Sequence, residues 1–255
     1  MQPLKNSHVF NQKPLPMKTK PVLFIAIFLL SLSLSTLNSY AFFQNIKKET
    51  RDVGTFESIG LGISADLYLT QGSKTELILE AEADILERIE TDVKNGKLRI
   101  YFEKWRTLRY KRVKIYITTP TINGLSVSGS GDIIAQTPIE TDNISFSISG
   151  SGSINVEDLV TGDVGSSISG SGTIQIGGSE SVASLDLSIS GSGKLVAENL
   201  EVEEFSGRIS GSGSCKVFVT STLDVSISGS GDVYYRGNPV IDARISGSGE
   251  VITLK

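Results

Sequence analysis

The chain has 255 residues and a formal net charge of −4, with 39% hydrophobic and 20% charged residues. This balance excludes a wholly disordered chain, and 26 glycines without a three-residue period exclude collagen. The single cysteine excludes an internal disulfide framework, and the lone histidine, His8, argues against histidine-based catalysis and against a histidine-ligated metal.

The N-terminus has the three parts of a secretory signal peptide. Lys18 and Lys20 precede the apolar run PVLFIAIFLL of residues 21–30, and Ala41 ends a small-residue cleavage site. The apolar run is shorter than the roughly 20 residues that span a bilayer. We therefore predict that residues 1–41 are a cleaved leader, with a retained membrane anchor as the alternative.

Two consequences follow for the mature chain. Met17 begins a more typical leader than Met1, so residues 1–16 can be an upstream extension of the true start. Export through the inner membrane predicts a periplasmic, outer-surface or secreted protein with no stable transmembrane segment after cleavage.

Residues 42–124 are predicted to form a β-rich N-terminal region. Alternating apolar residues and a turn at Asn95–Gly96 indicate strands, and one short helix is expected over Ala83–Glu90. The strand candidates are Phe56–Thr70, Thr75–Ala81, Lys97–Phe102 and Arg112–Thr118. This region is expected to cover one end of the repeat that follows, because open strand edges invite pairing.

Six basic residues crowd into the segment KWRTLRYKRVK of this region. They are Lys104, Arg106, Arg109, Lys111, Arg112 and Lys114. Such a cluster is a candidate contact for an anionic surface or glycan. The alternative is a solvated connection between two strands. Nucleic acid is a poor partner for an exported acidic protein.

A repeat organises residues 125–255. The sequence SGSG occurs seven times, at intervals of 18 to 21 residues, which indicates a solenoid. The seven copies begin at Ser128, Ser149, Ser169, Ser190, Ser210, Ser228 and Ser246. An apolar residue precedes each copy and another follows two residues after it, so a flexible Gly/Ser linker is excluded.

Parity predicts which side chains face the core. The two apolar columns are six positions apart, an even number, so they share one side of an extended chain with the glycines. The serines then face outward. The columns are Val127, Ile148, Ile168, Ile189, Ile209, Ile227 and Ile245 before the repeat, and Ile133, Ile154, Ile174, Leu195, Cys215, Val233 and Val251 after it.

These features predict an all-β protein, a parallel β-helix of about seven coils behind the β-rich N-terminal cap region. Cys215 stands in an inward column, so it is expected to be a small buried filler and not a reactive thiol. Calcium-binding nonapeptide repeats need an acid at regular nine-residue steps, and that pattern is missing. No metal site, cofactor site or catalytic residue is predicted.

The apolar–SGSG–polar–apolar repeat, behind RDVGTFESIGLGISADLYLTQG and NGKLRIYF, resembles a bacterial family of exported domains. It is the family named putative auto-transporter adhesin, head GIN domain. The resemblance covers residues 50–255 and implies a right-handed parallel β-helix. It implies an adhesin-type role and brings no catalytic residues with it.

Three functions remain open from the sequence. The leading hypothesis is a non-enzymatic binding or adhesion module of the cell envelope, with an envelope glycan or a surface protein as partner. One alternative is a β-helix enzyme acting on polysaccharide, which needs aligned acids on neighbouring coils. Another is a structural envelope protein that forms homo-oligomers through its coil ends.

Overall fold

The structure is a computed structural model that describes residues 46–102, 110 and 113–254. The predicted leader lies outside these residues. The described chain is nearly all β and winds into a β-solenoid of about six turns, which confirms the predicted fold class. The seven SGSG segments are corners of the solenoid, and the six intervals between them are complete turns. The predicted number of seven coils is therefore the number of corners and not the number of turns.

The described residues of the N-terminal region form seven strands and one short helix. The strands are β1 (Ile46–Arg51), β2 (Ser58–Leu61), β3 (Ala65–Gln71), β4 (Glu76–Glu82), β5 (Ile89–Lys94), β6 (Lys97–Phe102) and β7 (Val113–Thr119), and the helix is α1 (Ala83–Leu86). The predicted strands are all present, and the helix is a single turn, shorter than expected.

The repeat region consists of strands that end or begin at the SGSG corners. They are β8 (Gly124–Gly129), β9 (Asp132–Ala135), β11 (Asn143–Gly150), β12 (Ser153–Val156), β14 (Asp163–Gly170), β15 (Thr173–Gly177), β16 (Val182–Gly191), β17 (Lys194–Gly211), β18 (Ser214–Gly229), β19 (Asp232–Arg236), β20 (Val240–Gly247) and β21 (Glu250–Thr253). Two short strands, β10 (Ile139–Glu140) and β13 (Leu159–Val160), pair on the third side of the early turns.

Strand segments of successive turns pair in parallel and in register. The segments before the corners form what we call the first sheet, where Ile148 pairs with Val127 and with Ile168. The segments after the corners form the second sheet, where Ile154 pairs with Ile133 and Ile174. Equivalent residues therefore form straight columns about 4.8 Å apart along the solenoid axis.

Both apolar columns face the core, as the parity predicted. Their members are at most 2% exposed from the first corner to the sixth. In the last turn Ile245 is 44% exposed, because the described residues place no further turn on top of it.

The two glycines of each corner have different roles. The second glycine is buried as expected, and a Cβ at Gly213 would lie 2.5 Å from Ile189 Cγ2 of the preceding turn. The first glycine is partly exposed and turns the chain, with φ +120° at Gly211. The alternation of inward and outward residues along the strand is therefore interrupted at the first glycine of each corner. Only glycine suits a positive φ so close to the backbone of the turn before.

The N-terminal region continues the same two sheets. Strands β2 and β3 form an additional turn whose corner, Gly62–Ala65, occupies the position of SGSG. On one side β2 pairs with β8 and β3 with β9, and on the other side β2 pairs with β6 and β3 with β7. The first turn in the chain is thus enclosed by strands that come later.

Antiparallel strands complete this end of the solenoid. Strand β5 pairs with β6 through the predicted turn, where Asn95 and Gly96 have φ of 53° and 73°. Strand β4 pairs with β7, and β1 pairs with β4. This confirms a β-rich cap region, and its outermost strand, IKKETR, is rich in charge.

Cys215 is fully buried in the inward column of the second sheet. Burial raises the pKa of its thiol well above the usual range, because desolvation disfavours the thiolate. We therefore expect no reaction with a thiol reagent such as DTNB at pH 8 in the native protein, and complete reaction in 6 M guanidinium. Rapid labelling of the native protein would place the thiol at the surface.

Within the described ranges, no helix has the length and apolar character required to span a bilayer.

Candidate binding face

The outward side of the first sheet carries an unbroken row of serines. The first serine of each SGSG lies directly beside its equivalents in neighbouring turns, and all seven are exposed. They are Ser128, Ser149, Ser169, Ser190, Ser210, Ser228 and Ser246. A hydroxyl both donates and accepts hydrogen bonds, so this row is a line of adaptable polar groups. We call this outward side the serine face.

A second row runs parallel to the first, two residues earlier in each strand. Its members are Ser126, Ser147, Ser167, Ser188, Arg208, Ser226 and Arg244. The two arginines lie in the C-terminal half, where Asp186, Asp224 and Asp242 also face outward. This half of the serine face is therefore mixed in charge and the middle is neutral.

The N-terminal end of the serine face is basic and aromatic. Lys97, Arg99 and Tyr101 project from β6 on the same side as the serine rows, beyond the glycines of β2. The Arg99 guanidinium lies 5.4 Å from the centroid of the Tyr101 ring and forms an ion pair with Asp92. A cation above an aromatic ring is a stabilising contact that also orders both side chains.

Two shallow depressions lie on this face. One, of about 360 Å³, is bordered by Lys97, Arg99 and Tyr101 and continues to Ser147 and Ser149. It exists because Gly60 in β2 and Gly62 at the following corner have no side chain to fill it.

The other depression, of about 530 Å³, covers the middle and the C-terminal half. It is lined by serines of five successive turns together with Asp186, Asp224, Arg208 and Arg244. Gly165 lies at the bottom of this depression and has no side chain to fill it. The two depressions share Ser147, so the face forms one extended, shallow track along the solenoid axis.

The basic segment predicted from sequence follows β6 in the chain, and its last two residues belong to β7. Lys104, Arg106, Arg109, Lys111 and Arg112 lie outside the described residues. Phe102, just before the segment, and Tyr110, within it, pack edge to face with ring centroids 5.3 Å apart. The Tyr110 hydroxyl accepts a 3.0 Å hydrogen bond from the Ser64 amide, at the corner between β2 and β3. Partial burial raises the pKa of Tyr110.

Lys114, the sixth predicted contact, lies on the second sheet. It pairs across the sheet with Asp66 in β3 and with Glu80 in β4. The Tyr116 ring, two residues further on, stacks on Tyr68 with centroids 5.3 Å apart. The structure thus separates Lys114 from the serine face, and its part in anion binding stays a prediction.

Lys97, Arg99 and Tyr101 do not stand out in the sequence as binding residues. The strand KLRIYF is predicted, and its alternation already places these three residues on the side opposite Leu98 and Ile100. What the sequence does not show is that β6 joins the first sheet beside β2, which puts them at the end of the serine rows.

Acidic groups do not converge into a metal centre. Within the part of the chain that the structure describes, no three or more His, Cys, Asp or Glu side chains are placed to hold a metal ion. Asp186 and Asp224 border the larger depression, separated by the intervening turn at Ser206. Both carboxylates are exposed, and Asp224 accepts a 3.4 Å hydrogen bond from Arg244.

Comparison with known proteins places these features in context. A crystal structure of a putative adhesin from Bacteroides fragilis is similar with a TM-score of 0.77 and 26% identity, covering 83% of this chain and 98% of that one. A putative lipid binding protein from Parabacteroides distasonis has a TM-score of 0.70 and 23% identity, covering 84% and 98%.

A putative adhesin from Parabacteroides merdae has a TM-score of 0.67 and 19% identity, again covering 84% of this chain and 98% of that one. The last two likenesses show the fold alone. No curated protein matches the chain.

The family match agrees with the repeat and with the structural neighbours. Its description is putative auto-transporter adhesin, head GIN domain, and it extends over residues 55–239, from just before β2 to the residue before β20. An adhesin-type family indicates an exported, surface or envelope protein. The chain belongs to this adhesin-type family, whose sequence signature here is the SGSG corner of a β-solenoid.

Proposed function

We propose that the protein is an exported, non-enzymatic adhesion module that binds an acidic envelope glycan along the serine face. The observation that carries the proposal is the unbroken row of seven serines, with a second, mostly serine row beside it, that leads to Lys97, Arg99 and Tyr101. A flat, rigid track of this kind suits an extended polymer, because a solenoid presents the same groups at every turn.

Serine hydroxyls match the chemistry of a sugar. Each one donates and accepts, and a serine side chain loses little conformational entropy when it is held. Tyr101 adds an aromatic ring against which the apolar face of a sugar can pack. The contacts of one turn are weak, so affinity grows with the number of turns that the polymer covers.

The distribution of charge sets where the acidic groups of the ligand bind. Lys97 and Arg99 are at the N-terminal end of the serine face, whereas Asp186, Asp224 and Asp242 are towards the other end. The basic segment follows β6 directly in the sequence. An anionic glycan is therefore held by its acidic groups at the smaller depression and by hydroxyls along the serine rows.

The exposure of the acids supports binding over hydrolysis. A glycosidase needs one carboxylic acid whose pKa is raised so that it protonates the leaving group. Asp186 and Asp224 are both exposed on separate turns, and Asp224 forms an ion pair with Arg244 at 3.4 Å. Family and neighbours are of adhesin type, in agreement with a binding role.

The test is a binding measurement with polygalacturonate as acidic polymer and dextran as neutral polymer. We expect the exported protein to bind polygalacturonate, and affinity to fall about tenfold or more between 50 and 500 mM NaCl, since exposed charges are screened over about 8–10 Å at physiological salt. Reversing Arg106, Arg109 and Lys111 to glutamate is expected to abolish binding.

A matched pair of variants tests the face itself. Ser147→Asp with Ser149→Asp adds two negative charges where the serine rows border the smaller depression. The affinity for polygalacturonate is therefore expected to fall at least tenfold. Thr173→Asp with Gln175→Asp adds the same charge outward on the second sheet and is expected to bind as wild type. An equal loss of affinity in both pairs of variants, or no binding to any polymer on an acidic glycan array, contradicts the proposal.

Other functions give other results. Release of new reducing ends from the polymer would show an enzyme, and retention on phosphatidylglycerol vesicles alone would show a lipid ligand.

A further inference from the structure

The C-terminal end of the solenoid exposes its core. Strand β20 pairs with β18 on one side, and the described residues supply no strand on the other. Consequently Ile241 and Ile245 are 43% and 44% exposed, although their equivalents one turn earlier, Leu223 and Ile227, are at most 1% exposed. An open edge with apolar side chains is a template for another strand.

The sequence of β20 is complementary to itself. It reads VIDARISG, with Ala243 at the centre of the symmetric set Ile241, Asp242, Arg244 and Ile245. When two copies align antiparallel about Ala243, Ile241 faces Ile245 and Asp242 faces Arg244, each twice. Opposite charges and apolar pairs directly across a strand pair are both stabilising.

Other registers lose this match. A shift by one residue sets Ile241 against Arg244, which mixes the inward and outward faces. A shift by two brings Asp242 against Asp242, or Arg244 against Arg244. Only the register centred on Ala243 keeps inward residues together and satisfies both charges.

We propose that β20 is a dimerisation strand, pairing antiparallel with β20 of a second copy about a two-fold axis at Ala243. The pairing joins the first sheet of one copy to the first sheet of the other, edge to edge. It covers the exposed isoleucines of both copies. Arg244 already contacts Asp242, at 2.5 Å, and Asp224, at 3.4 Å, on the outward face. In the dimer, Asp224, Asp242 and Arg244 of one copy and the same three residues of the other copy form one network in which acids and bases alternate.

The opposite end of the solenoid favours a closed dimer over a fibre. A head-to-tail contact would set β20 against the outermost strand of the first sheet there, β5, whose outward residues are Glu90, Asp92 and Lys94. The antiparallel register that pairs Asp92 with Arg244 and Lys94 with Asp242 sets Ile245 against Thr91 and Ile241 against Asn95. The isoleucines then gain no apolar partner, so a head-to-tail contact is disfavoured. A two-fold contact between identical edges uses each edge once and ends the assembly.

The decisive experiment exchanges the charges. In Arg244→Asp the two charged positions of β20, 242 and 244, are both acidic. In Asp242→Arg the same two positions are both basic. Each variant alone is expected to be monomeric by sedimentation velocity at concentrations where wild type is dimeric, with the dimer dissociation constant raised at least tenfold. Mixed together, the two variants are expected to form a heterodimer, because every acid then faces a base. The double variant Asp242→Arg, Arg244→Asp is expected to dimerise as wild type does.

A cysteine at the two-fold axis tests the register. Directly opposed residues in an antiparallel pair have Cα atoms about 4.5–5.5 Å apart, within the range of a disulfide. Ala243→Cys is expected to form a disulfide-linked dimer on mild oxidation, whereas Val240→Cys faces Ser246 of the other copy and is expected not to. The buried native Cys215 does not interfere.

Three results would overturn the proposal: a wild-type protein that is monomeric at 100 μM, single charge variants that dimerise like wild type, or monomeric variants that remain monomeric when mixed. Circular dichroism of each variant checks that the solenoid is intact. The exchanged residues are exposed, and their surface ion pairs contribute little to folding. Glycan binding by the serine face is measured separately in the same variants, so each proposal can fail without the other.

Discussion

Substitution of Gly211 by alanine should destabilise the solenoid strongly, although it adds a single methyl group. Gly211 has φ +120°, and a Cβ there would lie 2.4 Å from the carbonyl oxygen of Gly191 in the preceding turn. The backbone conformation alone costs about 1–3 kcal/mol for a residue with a side chain. The overlap with a carbonyl adds to this, because neither backbone can withdraw without breaking the hydrogen bond from the Ser212 amide to Gly191.

The same glycine-to-alanine change at Gly165 is the matched control. Gly165 is in a strand, and the nearest atom to a Cβ there is Ser145 Cβ at 3.9 Å. We expect Gly165→Ala to leave the free energy of unfolding unchanged or to raise it by up to about 1 kcal/mol. Gly211→Ala should lower the melting temperature by at least about 6 °C in thermal unfolding. A melting temperature equal to that of Gly165→Ala would mean that the corner geometry does not require glycine.

Replacement of Ile189 by aspartate should destabilise the solenoid even more than the change at Gly211. Ile189 is 1% exposed, and its Cγ2 lies against the buried second glycine of the next corner, Gly213. A carboxylate in this column has no described partner, and an unpaired buried charge costs about 3–5 kcal/mol in addition to the lost apolar contacts. This is comparable with the whole stability of a typical domain, about 5–15 kcal/mol.

Ser192→Asp, three residues away at the exposed part of the same corner, introduces the same side chain into solvent. It should change the free energy of unfolding by no more than about 0.5 kcal/mol. Urea unfolding followed by circular dichroism compares the two variants. If Ile189→Asp unfolds at the same urea concentration as Ser192→Asp, the assignment of inward and outward columns is wrong.

The repeat region could be predicted from sequence because each turn repeats the same constraint. An isoleucine before the corner packs its branch against the second glycine of the next corner, as Ile189 does with Gly213, so both residue types recur in register. Periodicity then reveals the sheet, the core and the outward serines together.

Single exceptions to the pattern are less predictable. Gly207 occupies an inward position, and the Phe205 ring fills the space, with Cε1 2.7 Å from where a Cβ would lie. Ser166 is also inward and only 6% exposed. Neither follows from parity, because neighbouring side chains compensate for the missing apolar group.

The N-terminal turn cannot be recognised from sequence as part of the repeat. Its corner is Gly62–Ala65, in which Ile63 and Ala65 replace the two glycines of SGSG. Ile63 is 3% exposed, so here the corner directs an apolar residue inward. The basic end of the serine face depends on this turn and on its pairing with β6, which no local pattern encodes.

The placement of β2 and β3 also determines the order in which the protein can fold. Both neighbours of this turn, β6 with β7 and β8 with β9, are made after it, so β2 has no partner strand until residue 102 is made and β3 has none until residue 119 is made. Bringing these distant segments together costs loop-closure entropy before any contact repays it, which makes this step slow. Each later turn then closes over only 18 to 21 residues onto a finished edge. We therefore expect the N-terminal region to be the nucleus on which the remaining turns are added one after another.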